Sequence, residues 1–239
     1  MIFIKNFPVA FLKEEKCLVL SELHLGIEHE FFQSGIVIPS QAKKFAKIIN
    51  KLIKKTKAEK LIIVGDVKHK IPGISLRERY EIPKFFSLLN DIDIIIVKGN
   101  HDAGLEKILP KIKIFGSKGF RMNKFGFFHG HAWPDKRLMS CEYLFTSHLH
   151  PCVEIGKVKF NIQRVWIKTK VNVEKIKRKY RIKDKKPNLI ILPAFNNLVG
   201  CLAINKKFDK ISGVLKNFID KKNSQFFLID GTYLGNLFL

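Results

Sequence analysis

The chain has 239 residues, of which 46% are hydrophobic, enough to build a substantial core. Its 44 Lys and Arg against 21 Asp and Glu leave a formal net charge of +23, which favours a polyanionic partner such as nucleic acid. A/T-biased coding can produce a similar excess of lysine, and the charge alone does not decide between the two explanations. No apolar run of about 18 residues occurs, so we expect no membrane-spanning segment.

The N-terminus and the cysteines indicate a cytoplasmic protein without disulfide bonds. Residues 1–8 lack a charged region leading into an apolar core, so they do not resemble a signal peptide. Four cysteines are widely spaced and form no CxxC motif: Cys17, Cys141, Cys152 and Cys201. This spacing argues against a structural zinc site and against a dense disulfide framework. We therefore expect four reduced thiols in the core.

Short apolar runs alternate with helical segments, which is typical of an α/β domain. In the first half of the chain, the runs that predict strands are residues 17–20, 61–64 and 92–97. Between them, Ser40 is a plausible N-cap for a helix, because apolar residues from Ala42 to Ile53 follow at helical spacing. Pro83 can open a second helix over residues 84–90.

The second half of the chain continues the alternation. A short helix is expected over residues 104–109, closed by Pro110, and strands are expected over residues 111–115 and 125–128, joined by the turn-rich residues 116–119. Further strands are expected at residues 189–192 and 226–230. We find no internal repeat and no long linker, so the sequence predicts one domain over residues 1–239.

Residues 157–186 form a strongly basic segment. It contains thirteen Lys or Arg against two acids, Glu174 and Asp184. Such a segment is either an arm or insertion that contacts phosphates or a solvated basic helix. The arm is the interpretation we favour, and it makes this segment the candidate surface for nucleic acid.

Polar residues follow five of the apolar runs and are the candidates for chemistry. They occur in five strings: Glu22-Leu-His24, Gly65-Asp66-Val-Lys-His69, Gly99-Asn100-His101-Asp102, His129-Gly-His131 and His148-Leu-His150. In open α/β sheets, ligands bind beyond the carboxyl ends of the strands. A lone histidine at a strand end is usually a hydrogen-bonded structural residue, but five such strings in this order are hard to obtain by chance.

Carboxylates, an amide oxygen and imidazoles suit divalent manganese, iron or zinc, whereas the lack of thiolates argues against a closed structural zinc site. Asp66 follows a strand and is the natural candidate to bridge two ions. Two ions about 3.5 to 4 Å apart can hold both the attacking and the leaving oxygen of an in-line displacement at phosphorus. The strings therefore predict a phosphoester-cleaving metal site.

As an ordered set, the strings resemble the signature DxH, GD, GNH(D/E), H and GHxH of the calcineurin-like metallophosphoesterase superfamily. The resemblance implies an α/β fold in which two mixed β-sheets pack together and are flanked by helices, a four-layer sandwich. It implies two divalent metal ions and a metal-activated water or hydroxide as the nucleophile. Mn²⁺ is the expected ion, with Fe, Zn and Ni as the alternatives.

The resemblance also implies roles for individual residues. The implied ligands are Glu22, His24 and His150 for the first ion, Asp66 as the bridge, and Asn100, His129 and His148 for the second. His101 is implied to be the general acid for the leaving oxygen, with Asp102 orienting its ring. His131 has no assigned role beyond a supporting one, and His29 is expected to lie on a helix outside the site.

Three features qualify the resemblance. Glu22 stands where the family usually has Asp, which lengthens the side chain by one methylene and leaves open a site that has lost its first ion. Ser147 stands where the family usually has Gly, and this change removes no ligand. His69 completes a GDxxH spacing that resembles double-strand-break repair nucleases, in which this His faces the DNA backbone and assists cleavage; the alternative is a structural strand-to-helix turn.

Further strings, such as Ser21-Glu-Leu-His-Leu-Gly26 and His148-Leu-His-Pro151, resemble a small archaeal branch related to those repair nucleases and to bacterial DNA-ligase-associated endonucleases. The leading hypothesis is therefore a two-metal phosphodiesterase or nuclease acting on DNA or another nucleic acid. The alternatives are hydrolysis of a small phosphodiester or phosphomonoester, or a catalytically impaired module that binds nucleic acid. DNA-repair proteins and a second copy of the chain are the other expected partners.

Overall fold

Two mixed β-sheets form the centre of the computed structural model, which describes residues 1–156, 161–181 and 186–236. In these residues the first sheet has six strands, adjacent in space in chain order: β1 (Ile2–Phe3), β2 (Ala10–Leu12), β3 (Cys17–Leu20), β4 (Lys60–Val64), β5 (Asp93–Val97) and β6 (Lys113–Phe115). Its first two pairings are antiparallel and the other three are parallel.

The second sheet contains the remaining described strands: β7 (Phe120–Met122), β8 (Phe125–Phe127), β9 (Tyr143–Thr146), β10 (Pro151–Glu154), β11 (Ile162–Lys170), β12 (Asn188–Ile191), β13 (Leu202–Ala203), β14 (Gln225–Leu228) and β15 (Tyr233–Asn236). Its spatial order is β13-β10-β11-β12-β9-β8-β7, and β14 pairs with both β11 and β15. Strand β9 lies parallel to β8 and β12, and β10 lies parallel to β13, whereas the other pairings are antiparallel.

The strands at the centre of the first sheet are buried on both faces, which is why they are continuous apolar runs. In β4, Ile62 and Val64 belong to an apolar cluster that also contains Phe145 and Trp166 of the second sheet. Their neighbours in β4, Leu61 and Ile63, belong to a different cluster. Alternate side chains therefore face opposite layers, as the period of a strand requires.

Helices cover the outer faces of both sheets. The described helices are α1 (Glu28–Gln33), which borders the cleft described below, and α2 (Ala42–Thr56), α3 (Leu76–Ser87), α4 (Val173–Tyr180), α5 (Ile204–Lys207) and α6 (Leu215–Phe218). Phe45 of α2 and Phe85 of α3 share the outer cluster of the first sheet. Ile176 of α4 and Leu215 of α6 pack on the second sheet with Leu189 of β12. The fold is therefore the four-layer α/β sandwich that the resemblance implied. In the described ranges, no helix is long and apolar enough to cross a membrane.

Two helix boundaries differ from the expectation. The apolar face of α2 is buried as predicted, but the N-cap is Gln41 rather than Ser40. Helix α3 begins at Leu76, well before Pro83, because the Ser75 hydroxyl accepts a hydrogen bond from the Glu78 backbone and the Glu78 carboxylate accepts one from the Ser75 backbone. This reciprocal cap starts the helix, and Pro83 lies inside it.

The segment after β5 also differs in detail. The short helix is a 3₁₀ turn over Leu105–Lys107. Residues 116–119 do not join neighbouring strands of one sheet. They connect β6, an edge strand of the first sheet, to β7, an edge strand of the second sheet that was not anticipated from the sequence. The turn therefore carries the chain from one sheet to the other.

The expectation of four reduced thiols is wrong for two cysteines. Cys152 and Cys201 form a disulfide, with Cα atoms 5.9 Å apart. The reason lies in the pairing of β10 with β13, which aligns Pro151 with Leu202 and so brings the two cysteines together although 49 positions separate them. Cys17 and Cys141 are buried thiols.

The basic segment is only partly described, since residues 157–160 and 182–185 lie outside the described ranges. Strand β11 pairs with β12 on one edge and with β14 on the other. Helix α4 follows and buries Ile176. Residues 161–181 are therefore built into the second sheet and its covering layer rather than forming a separate arm.

Candidate metal centre

The candidate site lies where strands of both sheets end. Glu22 follows β3, Asp66 follows β4, and Asn100 follows β5, while His129 follows β8 and His148 follows β9. These strands are parallel neighbours within their sheets, so their carboxyl ends meet on one side of the sandwich. The sequence strings are thereby brought to one place although they span more than half of the chain.

The backbone at the site adopts an uncommon conformation. Five predicted ligands have positive φ angles: Glu22 (59°), His24 (42°), Asp66 (52°), His148 (66°) and His150 (44°). A left-handed conformation costs a non-glycine residue on the order of 1 kcal/mol or more, and such residues cluster at functional sites. The turns after the strands therefore aim these side chains at a shared centre at the expense of local stability.

Two glycines in the signature strings are required by close packing. A Cβ atom at Gly65 would overlap the His129 ring, and one at Gly99 would overlap the Asp66 carboxylate. Both neighbours are predicted ligands, and neither can move without leaving the cluster. The glycines of the GD and GNH strings thus make room for the ligands beside them.

The first group of ligands surrounds the Glu22 carboxylate. Glu22 Oε2 lies 2.9 Å from His24 Nε2 and 2.7 Å from His150 Nε2. Burial alone would raise the pKa of Glu22, but His150, His129 and His24 together hold that pKa well below its usual range. The longer side chain that replaces the usual Asp therefore still places its charge among the histidines.

The second group of ligands surrounds His129. Its Nε2 atom lies 3.3 Å from Asp66 Oδ2, 3.1 Å from Asn100 Oδ1 and 3.2 Å from His148 Nδ1. Asp66 Oδ2 also lies 3.8 Å from His24 Nε2, so this carboxylate stands between the two groups. Within the described residues, Glu22, His24 and His150 form one triad of possible ligand atoms within 4.8 Å of one another, and Asp66, His129 and His148 form a second. A further group with the same spacing, His24, His69 and His101, shares His24 with the first triad.

His129 carries the clearest electrostatic signature of the site. Burial alone would lower its pKa, but the carboxylates of Glu22 and Asp66 raise that pKa to about 9. Ser147, the departure from the usual Gly, contacts this residue: its Oγ lies 2.9 Å from His129 Nδ1 and donates to the Val64 carbonyl oxygen at 2.5 Å. Ser147 therefore helps to orient His129, a role that sequence reasoning missed.

Contrary to expectation, Asp102 forms no hydrogen bond with the His101 ring in the part of the chain that the structure describes. In the described residues, its carboxylate accepts hydrogen bonds from the backbone N–H groups of Val67, Lys68 and Gly99. Burial, followed by the charge of Asp66, raises the pKa of Asp102 to about 6. Asp102 thus joins the loops after β4 and β5 through these three backbone contacts.

His101 is oriented by a backbone carbonyl instead. Its Nδ1 atom lies 2.5 Å from the carbonyl oxygen of His69, and its Nε2 atom lies 4.0 Å from Asp66 Oδ2. His24, His69, His101 and His150 line one cleft of about 340 Å³. His101 therefore lies at the edge of the ligand cluster and faces the space that a substrate would occupy.

Of the other histidines, two adjoin the site and one lies outside the triads. His69 lies in the cleft wall, with Nδ1 3.2 Å from His24 Nδ1 and Nε2 2.5 Å from Glu30 Oε2. The His131 ring is 5.1 Å from that of His129, so it adjoins the second ligand group. His29 lies on α1 outside both triads, as expected, and its ring stacks on Phe32 with centroids 6.3 Å apart.

Two supporting residues were not anticipated from the sequence. Glu78 is buried and accepts hydrogen bonds from the backbone N–H groups of His69 and Lys70, so it anchors the loop that carries His69. Asn196 is buried too, and its backbone N–H donates to the Glu22 carbonyl oxygen at 3.0 Å. The pattern Ser-x-x-Glu at residues 75–78 is a visible capping signal for Glu78, whereas Asn196 acts through a contact too distant in sequence to foresee.

Comparison with known proteins agrees with this geometry. The family model "Calcineurin-like phosphoesterase" matches residues 16–202. Among solved structures, the nuclease MPE of Pseudomonas putida aligns over 93% of this chain and 89% of its own, with 16% identity and a TM-score of 0.60. At this identity the alignment supports the fold.

Two other solved structures align less closely. The phosphoesterase Yfce of E. coli covers 60% of this chain and 74% of its own, with 21% identity and a TM-score of 0.36. A predicted phosphoesterase of Streptococcus pneumoniae covers 91% of each chain, with 13% identity and a TM-score of 0.34. No curated protein sequence matches the chain. The family match covers most of the chain, and the two ligand groups lie at the strand ends within it. The chain therefore belongs to the calcineurin-like phosphoesterase family.

Proposed function

We propose that this protein is a dinuclear-metal phosphodiesterase that cleaves nucleic acid. The observation that carries the proposal is the arrangement of two ligand triads around Asp66, with His101 at their edge. The family match supports a metal-dependent phosphoesterase, and the excess of basic residues supports a polyanionic substrate.

The residues present fit two divalent ions. Glu22 and Asp66 are buried carboxylates, and buried charges are normally paired or bound to metal. Nitrogen and oxygen donors without thiolates suit manganese, iron or zinc, and Mn²⁺ is the ion we propose. Glu22, His24 and His150 would hold one ion, Asp66 would bridge, and the other ion would be held by Asn100, His129 and His148. When bound, such ions polarise the phosphate and lower the pKa of the attacking water.

His101 supplies the proton in the proposed reaction. Its Nδ1–H donates to the His69 carbonyl, so the protonated ring carries its second proton on Nε2, the nitrogen closer to Asp66. The oxygen of a water molecule bonds to phosphorus as that water loses a proton to solvent, the bond to the leaving oxygen breaks, and His101 Nε2 protonates that oxygen. The His69 carbonyl fixes the ring, and the His69 side chain in the cleft wall is placed to assist on the substrate side.

Helix α4 is the surface we propose for the phosphate backbone. Lys179 Nζ lies 5.2 Å from the centroid of the Trp133 ring, and the Tyr180 hydroxyl donates to the Pro134 carbonyl oxygen at 2.6 Å. Trp133 and Pro134 belong to the loop that leaves His131. These contacts fix the basic helix to the loop next to the second ligand group, so a strand bound along α4 would approach the centre.

Nuclease activity can be tested directly. Purified protein is incubated with Mn²⁺ and end-labelled single- and double-stranded DNA, and the products are separated by size. We expect cleavage that requires the ion and that is lost in His101→Ala. Turnover of a small phosphoester without any cleavage of DNA or RNA would refute the nucleic-acid substrate.

A second candidate function is hydrolysis of a small phosphoester, because the cleft beside the triads measures about 340 Å³. A generic diester and a matching monoester distinguish the two enzymatic candidates, since a nuclease is expected to prefer the diester. A module that binds nucleic acid without cutting it is the remaining alternative. It predicts fewer than two ions and no activity that His101→Ala can remove.

A further inference from the structure

The histidines at the centre differ in what their second nitrogen contacts. A neutral histidine that binds metal through Nε2 carries its proton on Nδ1, and that proton needs an acceptor. His150 Nδ1 lies 2.8 Å from the Gly200 carbonyl oxygen, and His129 Nδ1 lies 2.9 Å from the Ser147 hydroxyl. His24 Nδ1 lies instead 3.2 Å from Nδ1 of His69, which is another imidazole.

An imidazole nitrogen accepts a hydrogen bond only when it carries no proton, whereas a carbonyl oxygen always can. Two arrangements of the His24–His69 contact are therefore available. If His69 Nδ1 is bare, His24 Nδ1 donates to it and His24 Nε2 is free to bind metal. If His69 Nδ1 carries the proton, neutral His24 must carry its own proton on Nε2, the atom that lies 2.9 Å from Glu22.

For a neutral His69, the Glu30 carboxylate selects the first arrangement. Its Oε2 lies 2.5 Å from His69 Nε2, and an ionised carboxylate can only accept, so the proton of His69 belongs on Nε2. Nδ1 of a neutral His69 is then bare and faces His24. One carboxylate outside both ligand triads thus determines which nitrogen of a predicted ligand is available.

We propose that Glu30 is a positioning residue of the metal centre, which acts through His69 to keep His24 Nε2 free for the first ion. The inference rests on the proposed metal-dependent function and adds to it a residue that is no ligand. Glu30 lies on α1 and contacts His69 Nε2, whereas His24 Nδ1 lies 3.2 Å from His69 Nδ1, so the His69 ring stands between the two residues.

Buried carboxylates hold both partners of the Glu30–His69 contact in place. At the start of α1, Glu28 is buried and its Oε1 accepts from the Gln41 backbone N–H at 2.6 Å. The backbone N–H of His69 donates to Glu78 Oε1 at 3.0 Å. The two chain segments are therefore fixed to the fold, although the Glu30 side chain is 69% exposed.

The test measures Mn²⁺ binding to metal-free protein by titration calorimetry, without substrate. We expect Glu30→Ala to lower the affinity for one of the two Mn²⁺ ions by roughly 10- to 100-fold and to leave the affinity for the other unchanged. Glu30→Gln keeps an oxygen that accepts from His69 Nε2, so its affinity should stay within about threefold of the unchanged protein. Glu14→Ala is the matched control, because Glu14 is another exposed carboxylate with a single basic partner, Lys124.

The relay also predicts how two substitutions combine. In a His69→Ala background, Glu30→Ala should have no further effect, because the carboxylate acts only through that ring. An unchanged Mn²⁺ affinity in Glu30→Ala, an equal loss in Glu30→Gln, or an additive loss in the double variant would each overturn the proposal. So would a third ion held by His24, His69 and His101. Failure to cleave nucleic acid would refute the proposed substrate and leave these binding results unaffected.

Discussion

At the scale of single residues, Glu22 is fully buried and lies within 3 Å of two histidines, although its side chain is one methylene longer than the usual Asp. The contacts favour a ligand role over a site that has lost its first ion. They could not be foreseen, because the reach of a side chain depends on the backbone turn that carries it, and φ at Glu22 is 59°. That the candidate ligands would lie close together, by contrast, was predicted from the order of their strings along the sequence and from the family resemblance.

Removing the charge of Glu22 should weaken binding of the first ion. Glu22→Gln keeps the shape of the side chain, and we expect the affinity for one Mn²⁺ to fall at least about 10-fold, as loss of an anionic ligand implies. Calorimetric titration measures this, with half-buried Glu15→Gln, at the turn between β2 and β3, as the control. Equal affinities in both variants would show that Glu22 does not bind metal.

His101 should matter for the reaction and not for the ions. Loss of a general acid typically costs about 10²- to 10⁴-fold, so kcat of His101→Ala should fall by that much on DNA while Mn²⁺ affinity stays the same. His29→Ala, a histidine outside the triads, serves as the matched control. A His101→Ala variant with unchanged kcat would remove His101 from the mechanism.

The raised pKa of His129 predicts how the metal-free protein responds to pH. Its pKa is raised to about 9 from an ordinary 6.5, so the stability gained from the protonated ring is complete below pH 6.5 and is lost as pH rises toward 9. The melting temperature of metal-free protein should therefore fall across this window. Mn²⁺ affinity should rise across it, because the ion displaces that proton. A melting temperature that rises between these pH values would contradict the assignment.

At the scale of elements, helices and strands were predictable where the apolar residues recur at the spacing of one kind of secondary structure. The face of α2 and the strand β12 follow directly from the sequence. The start of α3 does not, because Pro83 suits the first turn of a helix whereas the Ser75–Glu78 cap begins this one earlier. The Cys152–Cys201 disulfide was missed since it depends on the pairing of β10 with β13, which no local pattern reveals.

Helix α4 should contribute to binding of nucleic acid through its charge. Each cation withdrawn from a DNA phosphate reduces the slope of log affinity against log salt by roughly 0.9, so Arg178→Gln with Lys179→Gln should flatten that slope by about 1 to 2 units. Fluorescence anisotropy with labelled DNA measures it. Lys54→Gln with Lys55→Gln on α2 is the control, because these lysines are equally basic and lie in the last turn of a helix on the other sheet. Identical slopes would make α4 a solvated face only.

At the scale of the whole molecule, the two sheets pack through large apolar side chains that connect both halves of the site. Trp166 is fully buried and stacks on Phe3, with ring centroids 4.2 Å apart. This layer arrangement followed from the family resemblance, whereas composition and periodicity alone gave an α/β domain without its topology. The packing explains how ligands from β3 and β4 meet ligands that follow β8 and β9.

Truncating that layer should destabilise the fold. Trp166→Ala removes a buried aromatic side chain, and we expect it to lower the free energy of unfolding by about 3 to 5 kcal/mol. Chemical denaturation measures this, and Leu76→Ala, at a side chain 87% exposed, should change it by less than about 0.5 kcal/mol. Equal changes in the two variants would contradict the packing described for Trp166.

We expect two divalent ions to bind between the ends of the two sheets. Anomalous diffraction from crystals grown with Mn²⁺ locates each ion independently of any substrate. Two peaks that share Asp66 are expected, one beside Glu22, His24 and His150 and the other beside Asn100, His129 and His148. A single peak, or peaks away from these side chains, would contradict this expectation.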